Sequence, residues 1–235
     1  MNKIQKQHYL NKESLANLEL DSFFEKIFNQ LGEELERLRE TIFYYKAEFG
    51  NDSKPTVYEE IFGLNEQAWV GVLNNAIVRA FPDQAYTLIE FTVYNEGKDE
   101  NSKIRSFFGR ADLLVHLKNW KGKEINLLFE AKQYKECDEK KMEEDATLYI
   151  NEIMEQGKGY VDADKEYFDK KENLFIVPIV FAWIPEDNLL KIADGYMKPS
   201  NEKKEDFCSL YSESNSGAWV YGSVYPSNGE KLENV

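Results

Sequence analysis

The chain has 235 residues, of which 42% are apolar and 14% aromatic, and a formal net charge of −14. That length and apolar content allow one sizeable core, so a single α/β domain, or one with an appendage, is expected. The acidic balance excludes a generally basic, nucleic-acid-coating surface, while apolar runs as short as 175–184 and an N-terminus without an apolar signal region predict a cytoplasmic protein with no membrane association.

In chain order, Phe24, Phe28, Leu31, Leu35, Leu38, Ile42 and Tyr45 recur at alternating intervals of four and three, which describes one stripe along a helix. Ser22 and Glu25 stand at the spacing of a capping box for that helix. The stripe has two possible destinations: its own core, or a seam with a protein partner or a second copy of the chain. About three heptads are marginal for an independent coiled coil, which favours packing within the chain. The run GNDSKP at 50–55 breaks the pattern. A second helix follows in NEQAWVGVLNNAIVRAF, with Trp69, Leu73, Ile77 and Phe81 four residues apart.

Three strand candidates come next. Residues 86–94 (YTLIEFTVY) and 106–117 (SFFGRADLLVHL) are rich in β-branched and aromatic side chains, and 125–132 (INLLFEAK) follow a tight NWKGKE turn, which predicts a hairpin. A polar helical stretch is expected from about 138 to 168, interrupted near Gly157 and Gly159, and it leads into a strongly apolar strand at 175–184. Residues 195–217 read as loop and AWVYGSVY as a last strand. The order helix, strand, strand, strand, helix, strand predicts a mixed sheet with helices on its faces.

Charges lie inside these strands, where burial penalises them. Glu130 and Lys132 share one strand face, and pairing across the turn would set Asp112 beside Glu130. A buried group of this kind implies mutual pairing, a bound cation or access to solvent. Two carboxylates with a nearby main-chain carbonyl make a hard oxygen site suited to Mg²⁺ or Mn²⁺. Lys132 beside it could orient a water or accept its proton. A salt-bridged strand end is the structural alternative.

Competing chemistries lack their residues. Cys137 and Cys208 are far apart with no CxxC pair, and His8 and His116 are the two histidines, so zinc, disulfide and Ser-His-Asp chemistry have no support. No G-x-x-x-x-G-K-[ST] loop is present. Charge is unevenly spread, with nine basic residues against five acidic ones between Lys98 and Lys135. Such a contrast either focuses a polyanion onto one edge or forms an ordinary solvated face.

Three short motifs occur in order: Gly109-Arg110-Ala111-Asp112, then Glu130-Ala131-Lys132, then Gln156 with Tyr160 one helical turn later. Together they resemble the PD-(D/E)xK nuclease superfamily, specifically its RecB-like branch, over roughly residues 65–184. Alanine stands before Asp112 where the superfamily's naming proline would be. The resemblance implies a restriction-endonuclease-like α/β core, with residues 1–50 as a helical extension packed on it and 51–235 as the nuclease-like domain. It also implies an Mg²⁺- or Mn²⁺-dependent nuclease acting on DNA. Asp112 and Glu130 would hold the metal, Lys132 would position the water, and Gln156 and Tyr160 would support the cleft. The fold often adds an acidic residue from the helix before the sheet; Glu66 is the choice here, with Glu59, Glu60 and Glu90 as rivals. Arg110 is a weaker candidate for a phosphate contact. The alternative function is a protein-binding module that keeps this fold without turnover.

Overall fold

The computed structural model describes residues 4–49, 61–95, 106–134, 142–168, 173–185, 189, 206–213 and 216–227. Its helix-strand order from Glu66 onward follows the expected sequence. A helix, α3 (Glu66–Ala80), precedes strands β2 (Ala85–Asn95), β3 (Ser106–Trp120) and β4 (Lys123–Tyr134), and a helix α4 (Met142–Ala163) with a short α5 (Lys165–Phe168) leads to β5 (Leu174–Pro185). Ahead of them stand β1 (Gln5–Leu10), α1 (Lys12–Asn17) and α2 (Asp21–Phe49); behind them follow β6 (Phe207–Glu213), β7 (Ser216–Gly222) and β8 (Tyr225–Pro226).

The strands form one open mixed sheet in the order β1-β6-β7-β5-β4-β3-β2, with β8 paired to β5. Every pairing is antiparallel except β4 with β5, the parallel step that α4 bridges. The hairpin between β3 and β4 turns at Lys121 and Gly122, with φ of 49° and 87°, flanked by the Trp120 to Lys123 pair. Two positive φ values in a two-residue turn match the twist of the flanking strands, and the second one suits glycine.

Helices cover both faces. On one, Phe23, Phe24, Phe28 and Leu31 of α2 and Trp69, Leu73 and Ile77 of α3 pack with Leu113, Val115, Leu127, Phe129 and Val177 of the sheet. Trp69 stacks on Phe181 at 4.9 Å and Phe24 on Phe207 at 4.6 Å between ring centres. On the other face, α4 and α5 cover the sheet through Ile150, Ile153, Tyr160 and Phe168. No helix among the described residues is long and apolar enough to cross a membrane.

Several local expectations change. The α2 helix starts at Asp21, and Leu20 supplies the carbonyl that receives the Phe24 N–H at 3.1 Å, so Ser22 lies within the first turn rather than capping it. α4 runs without interruption through Gly157 and Gly159, because close packing against the sheet compensates for glycine's poor helix propensity. The segment 207–213, assigned to loop, is strand β6 and almost wholly buried. Its serines and cysteine disguise a core strand: Phe207 and Tyr211 face α2, while Cys208 and Leu210 face the other layer. The break at 50–55 and Cys137 lie outside the described residues.

The helical stripe packs within the chain. Phe24, Phe28, Leu31 and Leu35 are fully buried, joined by Phe23 and Ile27, so the apolar face is wider than a heptad seam. Leu38 and Ile42 are half-buried. Leu31→Asp should therefore prevent folding rather than release a folded monomer, since an unpaired charge in this core costs more than the whole stability of roughly 5–15 kcal/mol can spare. Circular dichroism and urea unfolding of that variant check this. A folded, monomeric Leu31→Asp chain would instead identify the stripe as a seam between chains.

Candidate active site

The site forms where two strands part. The β3–β4 ladder runs in register from Leu117 with Ile125 to Leu113 with Phe129 and ends there. The next positions in that register are Asp112 and Glu130, so the hairpin brings the two carboxylates opposite one another in the interior of the sheet. Side-chain packing inverts at the same place: Ala111 joins the layer beneath α4, whereas Leu113 joins the α2/α3 core. In a regular strand these two would share a face.

Once β3 leaves, the N–H groups on that side of β4 need other acceptors. Ala131 N–H donates to Asp112 Oδ2 at 2.7 Å. Two residues on, Gln133 N–H donates to Glu66 Oε2 at 3.2 Å, and the Gln133 side chain donates to the Leu64 carbonyl at 2.6 Å. Two carboxylates thus stand in for the missing strand and are fixed by the main chain. Glu66 is delivered from the first turn of α3, whose start is set by Asn65 accepting the Ala68 N–H at 2.9 Å.

From the opposite face come Gln156 and Tyr160 of α4. Gln156 Nε2 donates to Glu130 Oε2 at 3.1 Å and to the Tyr160 hydroxyl at 2.9 Å. Tyr160 in turn donates to the Arg110 carbonyl at 2.7 Å. The chain of bonds ties both motif strands to the helix. Two glycines permit the approach. A Cβ on Gly157 would lie 2.5 Å from Ile176 Cγ2, and one on Gly109 would lie 2.7 Å from Tyr160 Cε1. Residue type alone did not identify these positions; the available signal was their placement beside Gln156 and within the Gly-Arg-Ala-Asp motif.

Glu90 of β2 is the position opposite Asp112 on its other side, bracketed by the Ile89–Leu113 and Phe91–Ala111 pairs. Its φ is 50°. Its oxygens receive Gln67 Nε2 at 3.1 Å and Arg110 Nη1 at 3.3 Å. Glu59 and Glu60 lie outside the described residues. His116 is bound to Asn126 at 3.0 Å within the sheet, a structural contact.

The electrostatics follow from this crowding. Burial, reinforced by the Asp112 charge, pushes Glu130 up to about 9. Burial also raises Asp112, with the Glu66 and Glu90 charges adding to it, while the Ala131 N–H and Lys132 oppose the rise. Tyr160 is raised too, chiefly by burial. Glu130 is 1% exposed and its Oε1 has no hydrogen-bond partner. Among the described residues, no group of three or more His, Cys, Asp or Glu side chains is already arranged to hold a metal ion. The donor set nevertheless fits a hard cation: Asp112 and Glu130 are adjacent oxygen donors, one oxygen is buried without a partner, and Mg²⁺ needs only one or two carboxylates, with waters completing its shell.

The chain matches no family model, no curated protein and no solved structure.

Glu130 holds its proton more tightly in the folded chain, at about 9, than at its ordinary value of 4.5. Its contribution to stability is therefore fully present below 4.5 and is lost as pH rises through about 9, at up to about 1.4 kcal/mol per pH unit. Glu130→Gln should flatten this dependence in the metal-free protein and raise its melting temperature near pH 8. Thermal melts of both proteins across this range test it. Gly109→Ala should cost about 1–3 kcal/mol by driving a Cβ into the Tyr160 ring, read from denaturant unfolding.

Proposed function

We propose that this chain is a metal-dependent nuclease that hydrolyses phosphodiester bonds in DNA. The observation that carries the reading is the facing of Asp112 and Glu130 where the ladder opens, with Glu66 fixed beside them and an unpartnered buried oxygen on Glu130. Charged groups brought together in this way, with one carboxyl raised to about 9, are characteristic of functional sites. A purely structural role explains the N–H groups that Asp112 and Glu66 accept but not the buried Glu130 oxygen without a partner.

Asp112 and Glu130 would hold Mg²⁺ or Mn²⁺, with Glu66 as the further acidic residue. When bound, such an ion supplies polarisation of a phosphoryl oxygen and acidification of a water. Lys132, on the strand face of Glu130, is half-buried and its ammonium acts on both Asp112 and Glu130. It would orient the attacking water by donating a hydrogen bond to its oxygen. Gln156 supports Glu130 by donating to one oxygen, while the other is buried without a partner. Tyr160 holds Gln156 and the main chain of β3 in place. All six residues act from helices or strands, so little geometry remains to be organised when the substrate arrives.

A second reading, a protein-binding module without turnover, is favoured by one observation. The terminal strand β2 carries exposed apolar side chains, with Tyr86, Leu88 and Ile89 exposed by 59%, 51% and 47%. Exposed apolar groups on a strand that ends the sheet among the described residues suit a protein partner.

Mn²⁺ or Mg²⁺ should raise the melting temperature of the intact chain and support cleavage of DNA, because a ligand that prefers the native state stabilises it. Asp112→Ala should keep the fold and lose both effects, with cleavage falling by at least about 10³-fold. Melts and cleavage assays on linear, circular and single-stranded DNA and on RNA decide it. A metal-responsive chain that cuts none of these substrates, or an Asp112→Ala variant as active as the parent, removes this reading.

A further inference from the structure

The cleft is crowded with carboxylates, and a phosphodiester brings more negative charge to it. Lys132 is the cation that offsets both Asp112 and Glu130, but its proposed place is at the water. A second cation stands at the mouth. Arg110 lies two residues before Asp112, and its main chain is anchored from inside by the Tyr160 hydroxyl on its carbonyl at 2.7 Å. Its side chain runs outward, 61% exposed, and ends 3.3 Å from Glu90.

Glu90 is itself held in an unusual way. Its left-handed φ of 50° is costly for a residue with a Cβ. Gln67 binds one of its oxygens at 3.1 Å while Arg110 takes the other at 3.3 Å. A strained residue opposite Asp112 thus presents a carboxylate to the guanidinium of the Gly109-Arg110-Ala111-Asp112 motif.

The geometry points to Arg110 as the residue that grips a backbone phosphate of the substrate, with Glu90 as the carboxylate that occupies its guanidinium until the phosphate arrives. The inference rests on the nuclease reading of the cleft. A guanidinium fork receives two oxygens of a phosphate in the same way as two of a carboxylate. An exposed pair such as Arg110 with Glu90 is weak and readily exchanged. Release of Arg110 leaves Glu90 beside Gln67, so the exchange does not strand a buried charge. Arg110 then binds the strand while Lys132 serves the water, and the two cations divide the work.

The test is binding of a short fluorescein-labelled DNA, as single strand and as duplex, followed by anisotropy with Ca²⁺ in place of Mn²⁺ over a range of salt, with KM and kcat measured in Mn²⁺. Arg110→Ala should weaken binding about tenfold and reduce the salt slope by about 0.7 to 0.9, raising KM more than it lowers kcat, with an unchanged melting temperature. Arg110→Lys should keep the slope and recover part of the affinity. Glu90→Gln should tighten binding a few-fold by freeing the guanidinium. Wild-type affinity and slope in Arg110→Ala, with cleavage intact, overturn the inference and leave the nuclease reading standing. Weaker binding by Glu90→Gln overturns the role given to that carboxylate. A parent chain that neither binds nor cuts DNA removes the nuclease reading and this inference with it.

Discussion

The parting of β3 from β4 after the Leu113–Phe129 pair is the constraint on which the rest depends. A strand inside a sheet cannot leave its neighbour's N–H groups without acceptors, because each unmet buried donor costs free energy comparable to a lost hydrogen bond. Here the acceptors are carboxylates, Asp112 for Ala131 and Glu66 for Gln133. The acidic groups are therefore part of the backbone's own hydrogen bonding. Their positions are set by two strands and a helix terminus, elements that the large core holds rigid. This explains how three acids can be concentrated in a half-buried cleft without swinging apart into solvent.

The same arrangement sets the chemistry. Asp112 and Glu66 keep their N–H bonds whatever their surroundings, whereas Glu130 has one oxygen on Gln156 and one without a partner. Burial and the Asp112 charge outweigh the opposing Lys132, and Glu130 relieves the crowding by keeping its proton. The protein stores electrostatic tension at one carboxyl and meets it with packing elsewhere: stacked aromatics beneath α2 and α3 on one face, and a glycine-cleared contact of α4 on the other. The overall charge of −14 does not contradict a polyanionic substrate, because it is the local field and the placement of individual cations that steer a ligand.

Much of the core was legible because periodicity is a direct consequence of burial. The four-residue spacing of Trp69, Leu73 and Ile77 follows from one buried helix face, and the apolar, β-branched and aromatic runs of β3 and β4 follow from burial between two helical layers. The pairing of Asp112 with Glu130 was legible from hairpin arithmetic, and Gln156 with Tyr160 from one helical turn. What escaped were features whose cause lies far away in sequence. β6 is polar enough to read as loop and becomes a strand because β1, β7 and α2 enclose it. β1 has no strong pattern of its own and exists as a strand by pairing with β6, from Gln5 with Ser212 to Leu10 with Phe207. Gly157 read as a helix breaker, since its purpose is visible only once Ile176 is beneath it. The inversion at Asp112 breaks the two-residue period at the position where the chemistry is proposed, and rules built on regular strands cannot foresee such a slip.

The stacking of Phe24 and Phe28 on Phe207 has a consequence for the chain as it is made. Synthesis delivers α2 early and its aromatic lid nearly two hundred residues later, at about 5–20 residues per second. For that interval, roughly ten to forty seconds, the part of the α2 face that Phe207 covers lacks its native partner. β1 waits as long for β6. The first part of the nascent chain is thus the natural target of a chaperone that binds exposed apolar helices, and slower translation prolongs its exposure. Completion of the sheet is a late event, in which the last strands seal what α2 began.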